Sequence, residues 1–158
     1  MPLPVIRWLE RHRRPDWRVL ELGGGMSTVW WSTRAAEVVT LEDNAEWAQR
    51  LADRLGDSPT VTLLVLPREE WWAWLAEERA FDLVYVDAAD APPDFTRVKL
   101  LEAAHHLVAP GGWLALDDSD RPRYGGADAV VGWPATQVGG LKGTPFAVTE
   151  TTFYHRPA

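Results

Sequence analysis

The residue types best suited to chemistry begin in one stretch, Val19-Leu20-Glu21-Leu22-Gly23-Gly24-Gly25-Met26-Ser27-Thr28-Val29-Trp30. Val19 to Leu22 reads as a short buried strand, the three glycines as a tight turn, and Ser27 onward as a helix. Glycine lets a ligand approach the main chain closely. A helix start adds unpaired N–H groups and a positive dipole end. Strand, glycine turn and helix N-terminus together form a nucleotide-type binding corner.

Two details select among nucleotide-like ligands. The dinucleotide fingerprint has a third glycine that permits close helix packing, and here Thr28 stands in its place. Glu21, two residues before the first glycine, puts a carboxylate at the mouth of the turn, where it repels a pyrophosphate and attracts a cation. S-adenosylmethionine carries an ammonium and a sulfonium and no phosphate, so these residues favour it. Glu42 stands 21 positions after Glu21, at the end of the next strand. In a doubly wound sheet that strand finishes beside the glycine turn, where an acid accepts hydrogen bonds from ribose hydroxyls. Asp43 and Asn44 follow, placed to cap the next helix and to border the adenine edge.

Glu-Leu-Gly-Gly-Gly-Met-Ser-Thr resembles the first motif of class I S-adenosylmethionine-dependent methyltransferases, in the variant where Ser-Thr replaces the last glycine. The resemblance runs from about Trp17 to Tyr154. It takes in Glu42, the fourth-strand segment Phe81-Asp82-Leu83-Val84-Tyr85-Val86-Asp87, and Pro110-Gly111-Gly112 before an apolar strand. It implies cofactor contacts from Glu21, Gly23, Gly24, Gly25, Ser27, Thr28, Glu42, Asp43, Asn44 and Asp87. One departure follows the third strand: many relatives hold the adenine amino group with an acidic or polar residue there, where this chain has Pro67-Arg68 and then Glu69-Glu70. The adenine contact is therefore open, and no catalytic residue is assigned.

The elements that must position these groups alternate along the chain. Helices are expected over Leu3–His12, from Ser27 or Thr28 to Ala36, Ala45–Leu55, Glu69–Glu78 and Phe95–Val108, the last capped by Asp94. Strands are expected from about Trp17, over Glu37–Glu42, Thr60–Leu66, Phe81–Asp87 and Trp113–Leu116, with Val138 and Phe146–Tyr154 forming an antiparallel pair. The third strand is continuously apolar, as in a parallel sheet buried on both faces. The expected fold is α/β, a Rossmann-like three-layer αβα sandwich whose seven-stranded, mostly parallel sheet ends in an antiparallel hairpin, with residues 1–158 as one domain. Asp82 starts its strand, away from the ligand edge, and reads as structural. Ser119 to Thr144, rich in glycine, is the expected mobile wall of an acceptor site, or a second subunit supplies that wall in a homodimer.

Asp87 ends the fourth strand and Asp117-Asp118 the fifth, so three carboxylates should converge. Such crowding requires a cation or a retained proton. The arrangement resembles the Mg²⁺ site of catechol-type O-methyltransferases, which implies Asp87, Asp117 and Asp118 as metal ligands. On the plainer alternative, Asp117 or Asp118 caps the next segment and Asp87 orders the cofactor's amino-acid end.

Composition narrows the classes. A net charge of −7 argues against nucleic acid, which demands a basic surface. The chain has no cysteine, which removes disulfides and thiolate metal sites. No apolar run reaches membrane-spanning length, and Met1 to Arg14 lacks the features of a signal peptide, so a cytoplasmic protein is expected. Ten tryptophans are expected mostly in the core, with some lining a pocket. The function read from all this is methyl transfer from S-adenosylmethionine to a small-molecule acceptor, at oxygen. A non-catalytic cofactor-binding module is the alternative. A dinucleotide-dependent oxidoreductase is disfavoured by Glu21 and Thr28.

Overall fold

The computed structural model describes residues 1–77, 79–141 and 148–158. Seven strands form one sheet in the order β3-β2-β1-β4-β5-β7-β6. They are β1 (Arg18–Leu22), β2 (Glu37–Glu42), β3 (Val61–Val65), β4 (Phe81–Val86), β5 (Val108–Asp117), β6 (Ala135–Leu141) and β7 (Val148–His155). The first five run parallel, and β7 is antiparallel to both β5 and β6. Strand order reverses between β1 and β4, and the crevice beyond such a switch point is where ligands of open α/β sheets bind. Register aligns Leu22 with Leu41 and Val86, and Val86 with Leu116. The turn after β1 and the acids that follow β4 and end β2 and β5 therefore reach one edge.

Helices cover both faces. On one side α1 (Leu3–His12) and α2 (Met26–Trp31) bury Val5, Leu9 and Trp31 against Val19, Leu83, Tyr85 and Phe153. On the other, α4 (Arg68–Leu75), α5 (Arg97–Ala104) and α6 (Ala127–Val131) bury Trp71, Leu75, Leu100, Leu101 and Val131 against Leu20, Val84, Val86 and Leu116. The helix α3 (Ala45–Leu55) contacts α2 and β3. Trp17, Trp31 and Trp71 are fully buried, as the composition leads one to expect.

Several expected boundaries move for identifiable reasons. The helix α2 stops at Trp31, where Ser32 Oγ donates to Val29 O at 2.8 Å, and Ala36 N–H then turns to Trp17 O to start β2. β3 lies at the sheet edge rather than buried on both faces, with Val65 47% exposed. Thr96, not Asp94, caps α5 by accepting from Lys99 N–H, and the helix gives way to a 3-10 turn over His105–Leu107. The Pro110-Gly111-Gly112 segment lies within β5, with a register shift against β4. A side chain at Gly112 would meet Asp82 O at 2.9 Å. His155 closes β7.

The expected mobile loop is largely regular structure. Residues 127–131 form α6, Gly132 caps it with φ +68°, and Gly139 and Gly140 sit in β6. A Cβ at Gly140 would lie 2.6 Å from Pro4, so this glycine is what lets α1 dock on β6. Gly143 and Thr144 of that expected loop, Phe146 of the expected antiparallel pair and Glu78 of the expected helix Glu69–Glu78 lie outside the described residues.

Candidate functional site

The glycine turn is locked before any ligand is considered. Gly23 has φ +101°, and its N–H donates to Leu41 O at 2.9 Å. A Cβ there would lie 2.6 Å from Ala88 N and 2.8 Å from the carbonyl carbon of Asp87, so the turn presses directly on the end of β4. Gly24 N–H donates to Glu42 Oε2 at 2.9 Å, and Gly25 N–H to Thr28 Oγ1 at 3.0 Å. Thr28 is thus buried and clamps the turn with its hydroxyl. At Gly25 a Cβ would meet no atom of the other described residues beyond its chain neighbours within 4 Å.

An open cleft of about 320 Å³ lies above the turn, lined by Gly23, Gly24, Glu42, Asp43, Asn44 and Asp87 together with Trp47, Arg68, Ala88 and Ala89. Six of the ten residues expected at a cofactor therefore share one cavity. Glu42 is its acidic floor: Oε1 accepts from Asp43 N–H at 3.1 Å and Asn44 N–H at 2.9 Å, while among the described residues Oε2 accepts from Gly24 N–H alone. A carboxylate oxygen has two lone pairs, so Oε2 keeps capacity for a hydroxyl donor.

Glu21 is placed differently from the expectation. It is fully buried below the turn, in register with Thr40 and Tyr85, and Thr40 Oγ1 donates to its Oε2 at 3.2 Å. Strand alternation turns it toward the α1–α2 side, so it does not line the cleft. Burial pushes its pKa up to about 7, against the opposing pull of the Ser27, Thr28 and Thr40 hydroxyls. Ser27 is also buried, beside a second hollow lined by Met26, Val29 and Trp30. Asn44, not Asp43, caps α3, its Oδ1 accepting from Trp47 N–H at 2.9 Å.

Three contributors escaped the sequence. Trp47 Nε1 donates to Gly24 O at 2.7 Å and so lays its ring along the cleft. Its position in the first turn of a helix capped at the cleft was the available signal. Arg68 lines the far wall where an acidic or polar group was looked for. It pairs with Asp43, and its guanidinium carbon lies 4.8 Å from the Phe95 ring centroid. Glu69 and Glu70 stay outside the cleft lining. The third is Arg97, buried beneath Asp87.

Asp87, Asp117 and Asp118 do converge, with one oxygen from each within 4.8 Å of the others. The cation among them belongs to the chain. Arg97 Nη2 pairs with Asp87 Oδ1 at 2.8 Å, and Arg97 Nη1 lies 3.9 Å from Asp118 Oδ2. Arg121 pairs with the same Asp118 oxygen, and Thr149 Oγ1 donates to its Oδ1 at 2.5 Å. Asp117 Oδ1 accepts from Tyr85 Oη at 2.9 Å and Thr151 Oγ1 at 2.8 Å. Burial and the neighbouring carboxylates of Asp117 and Asp87 push the Tyr85 phenol well up, keeping it a donor. Mg²⁺ requires several unencumbered oxygens in an octahedron. Several of these oxygens already serve two guanidinium groups and three hydroxyls, a poor fit to that requirement.

A parallel sheet reversing at β1/β4, an antiparallel β7 beside β5, and a glycine turn facing an acidic strand end define a Rossmann-like methyltransferase fold. The sequence pattern of a family described as "Methyltransferase domain" matches residues 20–119, well over half of the chain, and the chain belongs to this family of S-adenosylmethionine-dependent methyltransferases. Among curated proteins nothing matches significantly. Solved structures agree on the fold. A candidate O-methyltransferase from Klebsiella pneumoniae is 24% identical, with TM-score 0.73, over 98% of this chain and 77% of that one. A methyltransferase from Pyrococcus furiosus is 19% identical, with TM-score 0.71, over 98% and 83%. The N-methyltransferase NodS from Bradyrhizobium japonicum is 13% identical, with TM-score 0.70, over 98% and 93%. Among the described residues no helix is long and apolar enough to cross a membrane.

Proposed function

We propose that this chain methylates a small-molecule acceptor at oxygen, with S-adenosylmethionine lying in the cleft over Gly23–Gly25. The observation that carries the reading is the Glu42 floor: a buried carboxylate, fixed by three backbone amides, with one oxygen still able to accept from a ribose hydroxyl. A Cβ at Gly25 would stand in open space among the described residues, beside a neighbouring hollow lined by Gly25, Met26, Trp47 and Leu51. Glu42 and Asp87 give the cavity an acidic character that suits a cationic ligand and repels a pyrophosphate. The Klebsiella neighbour, a candidate O-methyltransferase, supports oxygen as the acceptor atom. The net charge of −7 supports a small acceptor over a polyanion.

The cofactor supplies an electrophilic methyl group on a sulfonium, so the protein's work is alignment and release of the acceptor's proton. Gly24 N–H and the Asp43 and Asn44 amides hold Glu42 in place for the ribose. Asp87, with its side chain 36% exposed, faces the cleft and orders the cofactor's ammonium end. Arg68 and Trp47 wall the adenine side.

Calorimetry with S-adenosylhomocysteine, followed by transfer of labelled methyl from S-adenosylmethionine to a panel of phenols, carboxylates and amines, tests the reading. Binding with label appearing on an oxygen is the expected result. Labelling confined to amines would overturn the oxygen assignment, and absence of binding would overturn the cleft assignment. Binding without turnover of any acceptor would favour the cofactor-binding module.

A further inference from the structure

We propose that Arg97 is the resident cation of the acidic cluster, a guanidinium standing where a divalent ion would otherwise be needed, and that the domain works without metal. The metal-independence of turnover rests on the methyl-transfer reading; the placement of the charge does not.

Arg97 is aimed by its own helix start. Thr96 caps α5, and Asp90 Oδ1 accepts from Arg97 N–H at 2.9 Å. The side chain then runs inward and is only 7% exposed. Its fork reaches both strand ends that flank the cleft. Nε donates to Ala88 O at 2.8 Å, Nη2 to Asp87 O at 3.1 Å, and Nη1 to Asp117 O at 2.6 Å. Nη2 also pairs with the Asp87 carboxylate, and the Tyr124 ring centroid lies 5.6 Å from the guanidinium carbon. A guanidinium stays protonated in a protein, so this charge is permanent. Buried as it is, it requires its carboxylates as much as they require it.

The arrangement does two of the things a metal would do. It neutralises the crowding at the ends of β4 and β5, and it fixes the distance between those ends, which holds Asp87 toward the cleft. It omits a third. A metal with bound waters offers open positions to an acceptor oxygen, whereas the fork of Arg97 is spent on three carbonyls and a carboxylate. Acceptor recognition here therefore does not proceed by chelation, and acceptors without adjacent hydroxyls should serve as well as those with them. Arg97 is a positioning residue: it reaches the cleft through Asp87 and the two strand ends.

The test is a titration of the full chain with Mn²⁺, read as loss of the free-ion electron paramagnetic resonance signal. Wild type should bind no Mn²⁺ below millimolar concentration, with or without S-adenosylhomocysteine. A micromolar site in wild type that is lost in Asp118→Asn would overturn the proposal, whatever the variants of Arg97 do. Arg97→Met, checked for folding by circular dichroism, should acquire a Mn²⁺ site at least tenfold tighter than wild type, lost again when Asp118→Asn is added. A folded Arg97→Met that gains no metal would overturn the claim that the guanidinium holds the cation's place. Methyl transfer should survive EDTA, and rescue of an EDTA-treated enzyme by Mg²⁺ would also overturn it. A protein that fails to bind S-adenosylhomocysteine would sink the functional reading while leaving the Mn²⁺ result standing, so the two failures are separable.

Discussion

Gly23 and Gly25 stand two positions apart and answer to different constraints. Gly23 is required by the protein itself, since a Cβ would strike the Asp87–Ala88 backbone and its φ of +101° disfavours any side chain. Gly23→Ala should cost about 2–5 kcal/mol of stability in urea unfolding. A Cβ at Gly25 would stand in open space among the described residues, so Gly25→Val should cost about 1 kcal/mol or less while weakening S-adenosylhomocysteine binding at least tenfold by calorimetry. Unchanged S-adenosylhomocysteine affinity in Gly25→Val would mean that the cofactor does not pass over Gly25. Glu21 makes stability depend on pH. Its folded pKa, raised to about 7 by burial, exceeds the unfolded value of about 4.3. The folded state therefore binds the extra proton, and stability falls as pH rises from about 4.5 to 7, by about 3 kcal/mol in all. Glu21→Gln should flatten the dependence of unfolding free energy between pH 5 and 8. An unchanged slope would mean that Glu21 is charged in the folded protein.

At the scale of elements, the cleft is assembled from strand ends and helix starts, and the first turn of α3 serves both packing and site. Asn44 caps that helix and so sets the place from which Trp47 reaches Gly24 O. Asn44→Ala should cost about 1 kcal/mol of stability. It should also reduce cofactor affinity severalfold, read by calorimetry, because the ring loses its fixed origin; affinity equal to wild type would exclude Trp47 as a wall. The same scale separates what the sequence discloses from what it withholds. The glycine turn, Glu42, Asp87 and the Asp117-Asp118 pair are legible because strand, turn and acid lie within a few residues of one another and topology alone brings their ends together. Arg97 is illegible. An arginine at a helix start reads as solvated, and its importance comes from reaching ten residues back to Asp87 and twenty forward to Asp117. Arg68 stands out in the sequence only as a departure from the family pattern, since its pairing with Asp43 crosses from the turn after β2 to the start of α4. The edge position of β3 is hidden for a related reason: a strand that is apolar apart from Thr62 looks the same at the edge of a sheet as at its centre.

For the whole molecule, charge and architecture make one joint prediction about which ligands stabilise the fold. Binding to the native state alone adds RT ln(1 + [L]/Kd), about 2.7 kcal/mol at a hundredfold excess over Kd. In a chain of 158 residues this should raise Tm by about 5–11 °C. S-adenosylhomocysteine and S-adenosylmethionine should both produce such a shift. NAD should not, although it shares the adenosine, because its pyrophosphate would enter a cleft bearing Glu42 and Asp87 in a protein of net charge −7. The distinction should persist at high salt, since a buried floor such as Glu42 is screened far less than surface charge. Mg²⁺ at millimolar concentration should add nothing to the shift if Arg97 already supplies the cation. Scanning Tm against all four ligands in one buffer checks these statements together. A shift with NAD as large as that with S-adenosylhomocysteine would mean that the cleft recognises adenosine alone and that its acidic residues do not select the cofactor.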